Sequence, residues 1–478
     1  MNKLSSIDFL NGCPAGFYIN LAKNKAVDIL TASEYSENNA WNQYPLSGQL
    51  NNNNNNNKYN SYVVRPALAL DNRRICGWMS AYADCIKNKM TSERCTSYRL
   101  HEEDLLNLIE ECEEHRYIPQ TSTAFIVTKP KLREIFAANF RDRIVQHWIC
   151  QRIEPLFEER FKQHGDVTWN CRKERGTQKA VEALYEDILN VSNNYSREAW
   201  VGRFDIRSFF MSIDIRILEK LVVAFVRKYY QEEDLETLVY LLTITIRHRP
   251  QDDCIRRGRK DLWDQLPKHK SLFCVERFRG MPIGNITSQL LANFYLSFLD
   301  SFMVRLCEPI GAKYERFVDD FAVVCKTKED VLVLRDKAKE FLKEKLNLQM
   351  HEDKVYIQEV KKGVYFVGSV IKMNRVYIGN RTVGGMIDKL IELNTWLESL
   401  GNNFTIDDAY TIAHYASSLN SYFGFMANKK TYAIKRKTIP KYCPNFFHYF
   451  YINGCFKSVK IKSRYTIKQF IKGEYQYE

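Results

Sequence analysis

The sequence predicts an α+β protein in which strands that end at aspartates are separated by helical segments. Residues 200–205 and 321–324 are apolar runs of strand length, and each lies beside an aspartate. Residues 214–248, between these runs, carry helical patterning. With 478 residues, 45% of them hydrophobic, the chain is long enough to bury a large core and form two or three subdomains.

The adjacent residues Asp319 and Asp320 give the strongest chemical signal. Apolar residues flank the pair on both sides, which predicts a β-hairpin with the two carboxylates at its tip. Neighbouring carboxylates repel each other, and a divalent cation bound by oxygen ligands is the best reason for such a pair. The alternative is a solvated Asp-Asp turn that binds nothing.

A third carboxylate, Asp205, ends the strand predicted at 200–205. Strands far apart in sequence can bring their terminal carboxylates to one pair of metal ions. Such a pair, about 4 Å apart, serves in-line phosphoryl transfer. The sequence therefore predicts a two-ion centre built from Asp205, Asp319 and Asp320.

These two stretches and their order along the chain resemble the palm of reverse transcriptases. The resemblance implies a right-hand polymerase fold with fingers, a palm made of an antiparallel sheet with helices, and a helical thumb. It implies that Asp205, Asp319 and Asp320 are the catalytic residues and bind two Mg²⁺ ions. It also implies that the backbone carbonyl of Ile206 is a further metal ligand. Phe210, five positions after the first aspartate, matches the aromatic gate that rejects a ribose 2′-hydroxyl. The alternative for this residue is a place in the core.

The resemblance covers about residues 75–430 and predicts four parts. Residues 1–74 form a low-complexity, disordered segment, and residues 75–199 form the fingers. Residues 200–370 form the palm with part of the fingers. Residues 371–478 form the thumb and a basic C-terminal tail.

Seven consecutive asparagines, Asn51–Asn57, set the first part of the chain apart. Such a tract cannot bury a core, so one interpretation is a disordered arm. In the other, which treats residues 1–70 as one segment, the stretch 33–66 resembles the end of a C-type-lectin-like variable protein through its Trp-Asn, Asn-rich and Val-Arg-Pro signatures. In diversity-generating retroelements such a segment is encoded by the template repeat beside the reverse transcriptase gene. The segment would then be translated template repeat, with Met79 as a candidate start of the enzyme.

The composition indicates which kind of partner the protein binds and in which compartment it works. Lys plus Arg number 70 against 57 Asp plus Glu, and the net charge of +13 suits a phosphate backbone. The 13 cysteines include no Cys-x-x-Cys pair, which favours free thiols in a reducing compartment over a zinc module. No apolar run approaches the roughly 18 residues of a membrane span, and no secretory signal opens the chain. We therefore expect a cytoplasmic protein, bacterial or phage-encoded, without a membrane partner.

A basic hairpin is predicted at 124–135, with Lys131 and Arg133 near its turn. It resembles the fingers hairpin that covers the incoming triphosphate in intron-type reverse transcriptases. This implies nucleotide contacts from both residues, with Lys129 as a third candidate, and the planar fork of Arg suits phosphate oxygens. The alternative is a solvated charged turn.

Two further segments of this region carry predictions. Residues 170–177 resemble the next fingers motif, which we expect near the template or the nucleotide. Residues 252–278 are basic and broken, and they predict either a surface loop that contacts RNA phosphates or a solvated insertion.

Residues 281–289 precede a long apolar helix. Gly284 gives backbone freedom where the chain passes close to a ligand, and Asn285 or Thr287 could cap the helix. Most reverse transcriptases have Gln or Arg before this glycine and Pro after the serine, where Ile283 and Gln289 stand here. That form resembles the enzymes of diversity-generating retroelements and implies error-prone copying at template adenines.

The same resemblance assigns roles within this motif. It implies contacts that govern fidelity or template placement from Ile283, Gly284, Asn285 and Ser288. It implies nucleotide contact from Gln289.

Three features complete the assignment downstream. Lys354 resembles the lysine near the triphosphate, where it would protonate pyrophosphate or act as a charge. Phe366 and Gly368 lie in a segment that resembles the primer-grip hairpin. Helical segments at about 382–400 and 406–428 match a thumb. The aromatic, basic tail suits nucleic acid or, equally well, a core with a solvated surface.

The function implied is RNA-directed DNA polymerase activity that makes adenine-mutated cDNA from a template-repeat RNA to diversify a target gene. The implied partners are template RNA, a DNA primer or cDNA, dNTPs, and a small basic helical accessory variability protein. Two alternatives remain within enzymes, a group II intron-like and an antiphage-defence reverse transcriptase. The non-enzyme alternative is an RNA-binding protein on an inactive palm.

Overall fold

The computed structural model describes residues 72–87, 103–128, 131–401, 404–427 and 429–469. Lys129 and all but the last three residues of the segment predicted at 1–74 lie outside these ranges. Whether that segment is disordered or translated template repeat therefore stays a prediction.

The palm is a four-stranded antiparallel sheet. Its spatial order is β5 (Lys313–Phe317), β6 (Asp320–Cys325), β3 (Trp200–Asp205) and β7 (Tyr356–Glu359). Helix α4 (Thr177–Ser192) packs on one face, and helices α9 (Ile286–Cys307) and α10 (Lys328–Leu346) pack on the other. The two inner strands are covered on both faces, which explains why the sequence shows continuous apolar runs there.

The fingers combine long helices with a strand pair. The helices are α1 (Asn72–Ile86), α2 (Glu103–Glu113), α3 (Phe140–Gln163), α6 (Ile215–Tyr229) and α7 (Leu235–Arg247). The hairpin strands are β1 (Ser122–Val127) and β2 (Arg133–Ala137), paired in antiparallel register.

Helix α1 extends across the candidate start at Met79, which stays a prediction. The helix begins at Asn72, and its Trp78 is fully buried and stacks on Trp148 of α3 with ring centroids 4.6 Å apart. Arg74 of the same turn forms an ion pair with Glu113 at 3.1 Å. A chain that began at Met79 would lack half of this packed helix.

Residues 252–278 form an ordered insertion that is largely exposed, and contact of this surface with RNA phosphates stays a prediction. Strand β4 (Cys254–Arg257) pairs in parallel with β1 and is followed by α8 (Lys260–Asp264) and two short 3-10 turns. The carboxylate of the buried Glu134, on strand β2, accepts hydrogen bonds from the Ser271 hydroxyl and the Leu272 amide, both at 2.8 Å. The insertion is thus fixed to the fingers strands by a buried charge-assisted contact.

The helix α9 region has the length and apolar composition of a membrane span. Among the described residues, only the segment Ile286–Ile310 passes that test, which the sequence analysis had not expected, and 67% of its most apolar window is buried inside the protein. Helix α9 packs against α3, α10 and strand β5. Its apolar character is therefore accounted for by a central place in the core.

The C-terminal part begins with a small sheet and continues into the predicted thumb helices. Its elements are β8 (Val364–Phe366), β9 (Ser369–Lys372), β10 (Arg375–Ile378), α11 (Asn380–Ser399), α12 (Ile406–Phe425), α13 (Tyr432–Tyr442), α14 (Phe446–Tyr449), β11 (Phe450–Asn453) and β12 (Ser458–Ile461). A capping box at Thr405 and Asp408 opens α12. The described part of the tail, up to residue 469, is folded, because the hairpin of β11 and β12 shares one hydrophobic core with α11, α12 and α13. This region is therefore not purely helical.

Candidate active site

A cleft of about 1170 Å³ lies between the fingers hairpin, the palm sheet and the insertion. The register of β3 and β6 places Asp205 directly opposite Asp320, and Asp319 lies in the turn just before β6. Ten of the residues singled out in the sequence line this cleft: Lys131, Arg133, Asp205, Ile206, Phe210, Ile283, Asp319, Asp320, Lys354 and Gly368.

The carboxylates of Asp205, Asp319 and Asp320 lie close together, so their negative charges repel one another. Burial, followed by the charges of Asp205 and Asp320, raises the pKa of Asp319 to about 6. Burial also raises the pKa of Asp320, against the opposing charges of Arg203, Lys354 and Lys131. Carboxylates placed together in this way gain from a cation that neutralises them.

The donor set suits a hard divalent cation, because all three side chains offer carboxylate oxygens. Among the described residues, no trio of His, Cys, Asp or Glu side chains forms a ready-made site for one ion. Asp205 instead pairs with the Lys354 ammonium, Nζ to Oδ2 at 2.5 Å. Ion binding would therefore require this ammonium to give way.

The backbone carbonyl of Ile206 takes no part in the hydrogen bonds of the local β-bridge. This bridge, between Ile206 and Met350, is closed by the carbonyl of Asp205 and the amide of Arg207. The side chain of Ile206 is buried, so any contribution to a metal comes from its backbone, as the resemblance implies.

The position of Phe210 is compatible with both roles considered for it, a sugar gate and a core residue. The ring is half-buried, lies edge-on to the buried Phe209 with centroids 5.4 Å apart, and also lines the cleft. It follows β3 in the short helix α5 (Phe209–Ser212), close in sequence to Asp205. Its role as a sugar gate stays a prediction.

The insertion adds two nitrogen-bearing side chains to the cleft that the sequence analysis did not single out. His269 and Lys270 line it together with Lys131 and Arg133. His269 and Lys270 lie in a 3-10 turn. The two residues that follow this turn, Ser271 and Leu272, are hydrogen-bonded to Glu134. Only the fold could reveal this, because the insertion lies more than 100 residues from the hairpin in sequence.

Gly284 is required by a close contact within the protein, and its role at the template stays a prediction. Its φ is +124°, and a Cβ there would lie 2.6 Å from the carbonyl oxygen of Phe136 on strand β2. The Phe136 amide donates to the Ile283 carbonyl at 2.8 Å. The close approach therefore joins the start of helix α9 to the fingers.

The remaining residues of that motif do not line the cleft. Asn285 is at the N-cap of α9 and buried, but its side chain makes no capping hydrogen bond. Ser288 is also buried. Gln289 borders a separate small cavity behind Phe210 and accepts a hydrogen bond from the Cys171 thiol at 3.6 Å. Template contacts by the buried Asn285 and Ser288 would require the site to rearrange, and the nucleotide contact of the exposed Gln289 stays a prediction.

The two primer-grip candidates differ in position. Gly368 lines the cleft, and it forms with Val367 a two-residue hairpin turn in which both φ angles are positive. Phe366 is fully buried in the core beneath the sheet, so its side chain cannot reach a primer. This corrects the role predicted for Phe366.

The segment 170–177, expected near the template or nucleotide, is held in the protein interior at its start. Asn170 and Arg172 are both buried. The Arg172 guanidinium forms ion pairs with Glu158 at 2.8 Å and Asp166 at 2.7 Å. Arg172 is therefore already paired within the protein.

Sequence reasoning missed the polar residues behind the aspartate turn. Arg316 and Asn170 bind the backbone of Val318, and Asp300 pairs with that arginine. The available signal was a charged residue inside an apolar strand of a central sheet, where an unpaired charge is costly.

Fold and site together define a template-directed nucleotidyltransferase of the polymerase class: an antiparallel palm sheet presents three aspartates to a cleft rimmed by cations. The family model "Reverse transcriptase (RNA-dependent DNA polymerase)" matches residues 118–371, more than half of the chain. The chain belongs to this family, and its enzyme class is RNA-directed DNA polymerase.

Several known proteins are similar to this chain. Protein YkfC of Escherichia coli K12 is 25% identical over 298 residues, which cover 56% of this chain and 68% of that protein. The group II intron-encoded protein LtrA of Lactococcus lactis is 21% identical over 387 residues, covering 66% and 59% respectively. Apo telomerase from Candida tropicalis superimposes with a TM-score of 0.41 and 11% identity, over 68% of this chain and 60% of that one. The chain thus spans about three fifths of the intron protein and of telomerase.

Proposed function

We propose that this protein is the error-prone reverse transcriptase of a diversity-generating retroelement. It copies a template-repeat RNA into cDNA with substitutions at template adenines, and the cDNA diversifies a target gene. The observation that carries the subtype is Ile283, an apolar residue in the cleft at the position where most reverse transcriptases have a longer polar side chain.

The proposed reaction joins a primer 3′-hydroxyl to the α-phosphorus of a dNTP and releases pyrophosphate. Asp205, Asp319 and Asp320 would hold two Mg²⁺ ions, which activate the hydroxyl and support the leaving group when bound. This assignment is supported by the facing register of β3 and β6 and by the raised pKa of Asp319.

The protein's own side chains bind and select the nucleotide in this proposal. Lys131 and Arg133 bind the triphosphate from the fingers hairpin, since both line the cleft. Lys354, released from Asp205, faces the leaving pyrophosphate and supplies a proton or a charge. Phe210 excludes a ribose 2′-hydroxyl.

Template RNA, with a DNA primer or the growing cDNA, is the proposed macromolecular ligand. Residues 429–468 contain eleven Lys or Arg and no Asp or Glu, which gives the C-terminal region a strong attraction for phosphates. A small basic helical accessory protein is a further proposed partner, by analogy with the family.

The fidelity of copying tests the assignment to the diversity-generating subtype. Ile283→Gln restores a polar side chain beside the nascent base pair, and a difference of about 1.4 kcal/mol between right and wrong pairs changes selection tenfold. We expect the variant to lower misincorporation opposite template adenine more than opposite other bases. The measurement is sequencing of cDNA made on an adenine-rich RNA, with Ile283→Val as the matched apolar control.

The outcomes separate the alternatives. A wild-type enzyme that copies adenines as faithfully as other bases, with an accessory protein supplied, contradicts the retroelement subtype and leaves the intron-like or antiphage-defence alternatives. A wild-type protein that binds RNA but extends no primer supports the RNA-binding alternative on an inactive palm. A template-repeat and variable-repeat pair in the adjacent DNA would support the subtype independently.

A further inference from the structure

The turn that carries the catalytic aspartates has an unusual backbone. Val318, between Phe317 at the end of β5 and Asp319, has a φ of +58°. A β-branched residue rarely adopts this left-handed conformation, because its side chain crowds the backbone. Such a conformation persists only where the surrounding structure enforces it.

Two side chains enforce it by binding both polar backbone groups of Val318. The Asn170 side-chain oxygen accepts from the Val318 amide at 2.7 Å. The Arg316 Nη1 donates to the Val318 carbonyl at 3.0 Å. The turn is therefore held from both sides of the strained residue.

Both side chains are themselves fixed inside the protein. Arg316 is 0% exposed, and its guanidinium forms two hydrogen bonds with the Asp300 carboxylate, both at 2.6 Å. Asn293, on helix α9, accepts from Arg316 at 3.0 Å and donates to the Asn170 carbonyl at 3.1 Å. A closed buried network thus joins helix α9, the segment that contains Asn170, and the aspartate turn.

We propose that Arg316 and Asn170 are positioning residues that hold the Val318 turn in its left-handed conformation and so aim the carboxylates of Asp319 and Asp320 at Asp205. The inference rests on the proposed polymerase function. Both residues are buried, and neither lines the cleft. Their effect passes through the backbone of Val318, whose orientation sets that of the next two residues.

Arg316→Lys and Asn170→Ala test the proposal directly. Lysine keeps the charge but cannot reproduce the planar fork that binds Asp300 and the Val318 carbonyl together. Alanine removes the acceptor for the Val318 amide. The matched control is Arg152→Lys, because Arg152 also forms a partly buried pair with an aspartate, Asp234 at 2.7 Å, but lies in helix α3 away from the turn.

The measurement is single-nucleotide extension of a DNA primer on an RNA template in single-turnover conditions. It reports the rate constant of active molecules, the amplitude that counts them, and the dNTP concentration dependence. We expect Arg316→Lys and Asn170→Ala to lower the rate constant about tenfold or more at unchanged dNTP dependence, because a small misplacement of catalytic groups has such effects. A merely structural defect lowers the amplitude and leaves the rate constant unchanged.

A second comparison uses Val318→Gly, since glycine adopts positive φ without strain. In that background the turn no longer needs enforcement, so the loss of rate caused by Asn170→Ala should shrink at least about threefold relative to the wild-type background, as coupling between contacting residues predicts. This comparison uses only Asn170 and Val318, so it stands even where Arg316→Lys does not fold.

The outcomes are distinct. Wild-type protein without RNA-directed DNA synthesis contradicts the proposed function. An active wild type whose Asn170→Ala and Arg316→Lys variants keep its rate constant, as Arg152→Lys should, overturns the positioning role. Equal losses from Asn170→Ala in the valine and glycine backgrounds overturn it as well.

Discussion

At the scale of single residues, the main feature of the site is the electrostatic repulsion among carboxylates that lie close together. Asp319 is half-buried beside two other aspartates, and its raised pKa shows that its charged form is disfavoured. A lysine ammonium stands against Asp205 at 2.5 Å and offsets part of this repulsion. The site thus gives up stability for a cluster of negative charge, as functional sites often do.

Asp319→Asn should abolish primer extension and raise stability in metal-free buffer. The folded pKa of about 6 lies above the ordinary 3.8, so the native state loses stability as pH rises from about 4 to 6. Asparagine removes this loss, and the melting temperature should therefore increase by a few degrees at pH 7 and not at pH 4. Thermal unfolding at both pH values, beside primer extension, checks this. Extension within tenfold of wild type would contradict the metal assignment.

Phe210→Ala should increase ribonucleotide incorporation, because it opens the cleft wall beside the nucleotide sugar. The comparison is the efficiency of dNTP against rNTP on one RNA template. Phe209→Leu is the control, since that neighbouring ring is buried. An unchanged ratio in Phe210→Ala would assign the ring to the core alone.

At the scale of elements, the fingers and the palm meet where β2 passes the start of helix α9. The Phe136 amide donates to the Ile283 carbonyl, and Gly284 leaves room for the Phe136 carbonyl. This contact also fixes Ile283 in the cleft wall. A backbone contact therefore links the proposed fidelity residue to the strand that carries Arg133.

Gly284→Ala should destabilise this junction. Its positive φ disfavours a Cβ, which would in addition approach the Phe136 carbonyl to 2.6 Å. We expect a loss of about 1–3 kcal/mol in the free energy of unfolding, together with weaker dNTP binding. Gly401→Ala is the control, because a Cβ there meets nothing within 4 Å. Denaturant unfolding measures the loss, and equal stability of the two variants would contradict the role of the contact.

At the scale of the whole molecule, the first helix is an integral part of the packed core. Helix α1 packs along α3, and its Trp78 fills a fully buried position against Trp148. The fold therefore includes residues on the N-terminal side of Met79. Residues 118–371, which match the family, do not contain this helix.

A chain beginning at Asn72 should keep polymerase activity, and one beginning at Met79 should not. Removal of a buried tryptophan costs about 3–5 kcal/mol, enough to unfold a marginally stable region. Melting temperature and primer extension of the two truncated chains test this. Equal behaviour of both would show that α1 is dispensable, and loss of activity in both would assign a role to residues 1–71.

The sequence by itself determined the class of fold, the two aspartate strands and the helices between them. Apolar runs, turn chemistry and adjacent carboxylates are local signals, and they located β3, β6 and the thumb helices α11 and α12 well. Tertiary structure alone decided which side chains face the cleft. It buried Phe366, Asn285 and Ser288, brought His269 and Lys270 to the cleft from a distant insertion, and bound the Val318 turn with Asn170 and Arg316. The reason is physical: periodicity records how much apolar surface a segment buries, whereas contacts between residues far apart in the chain depend on how the packed elements meet.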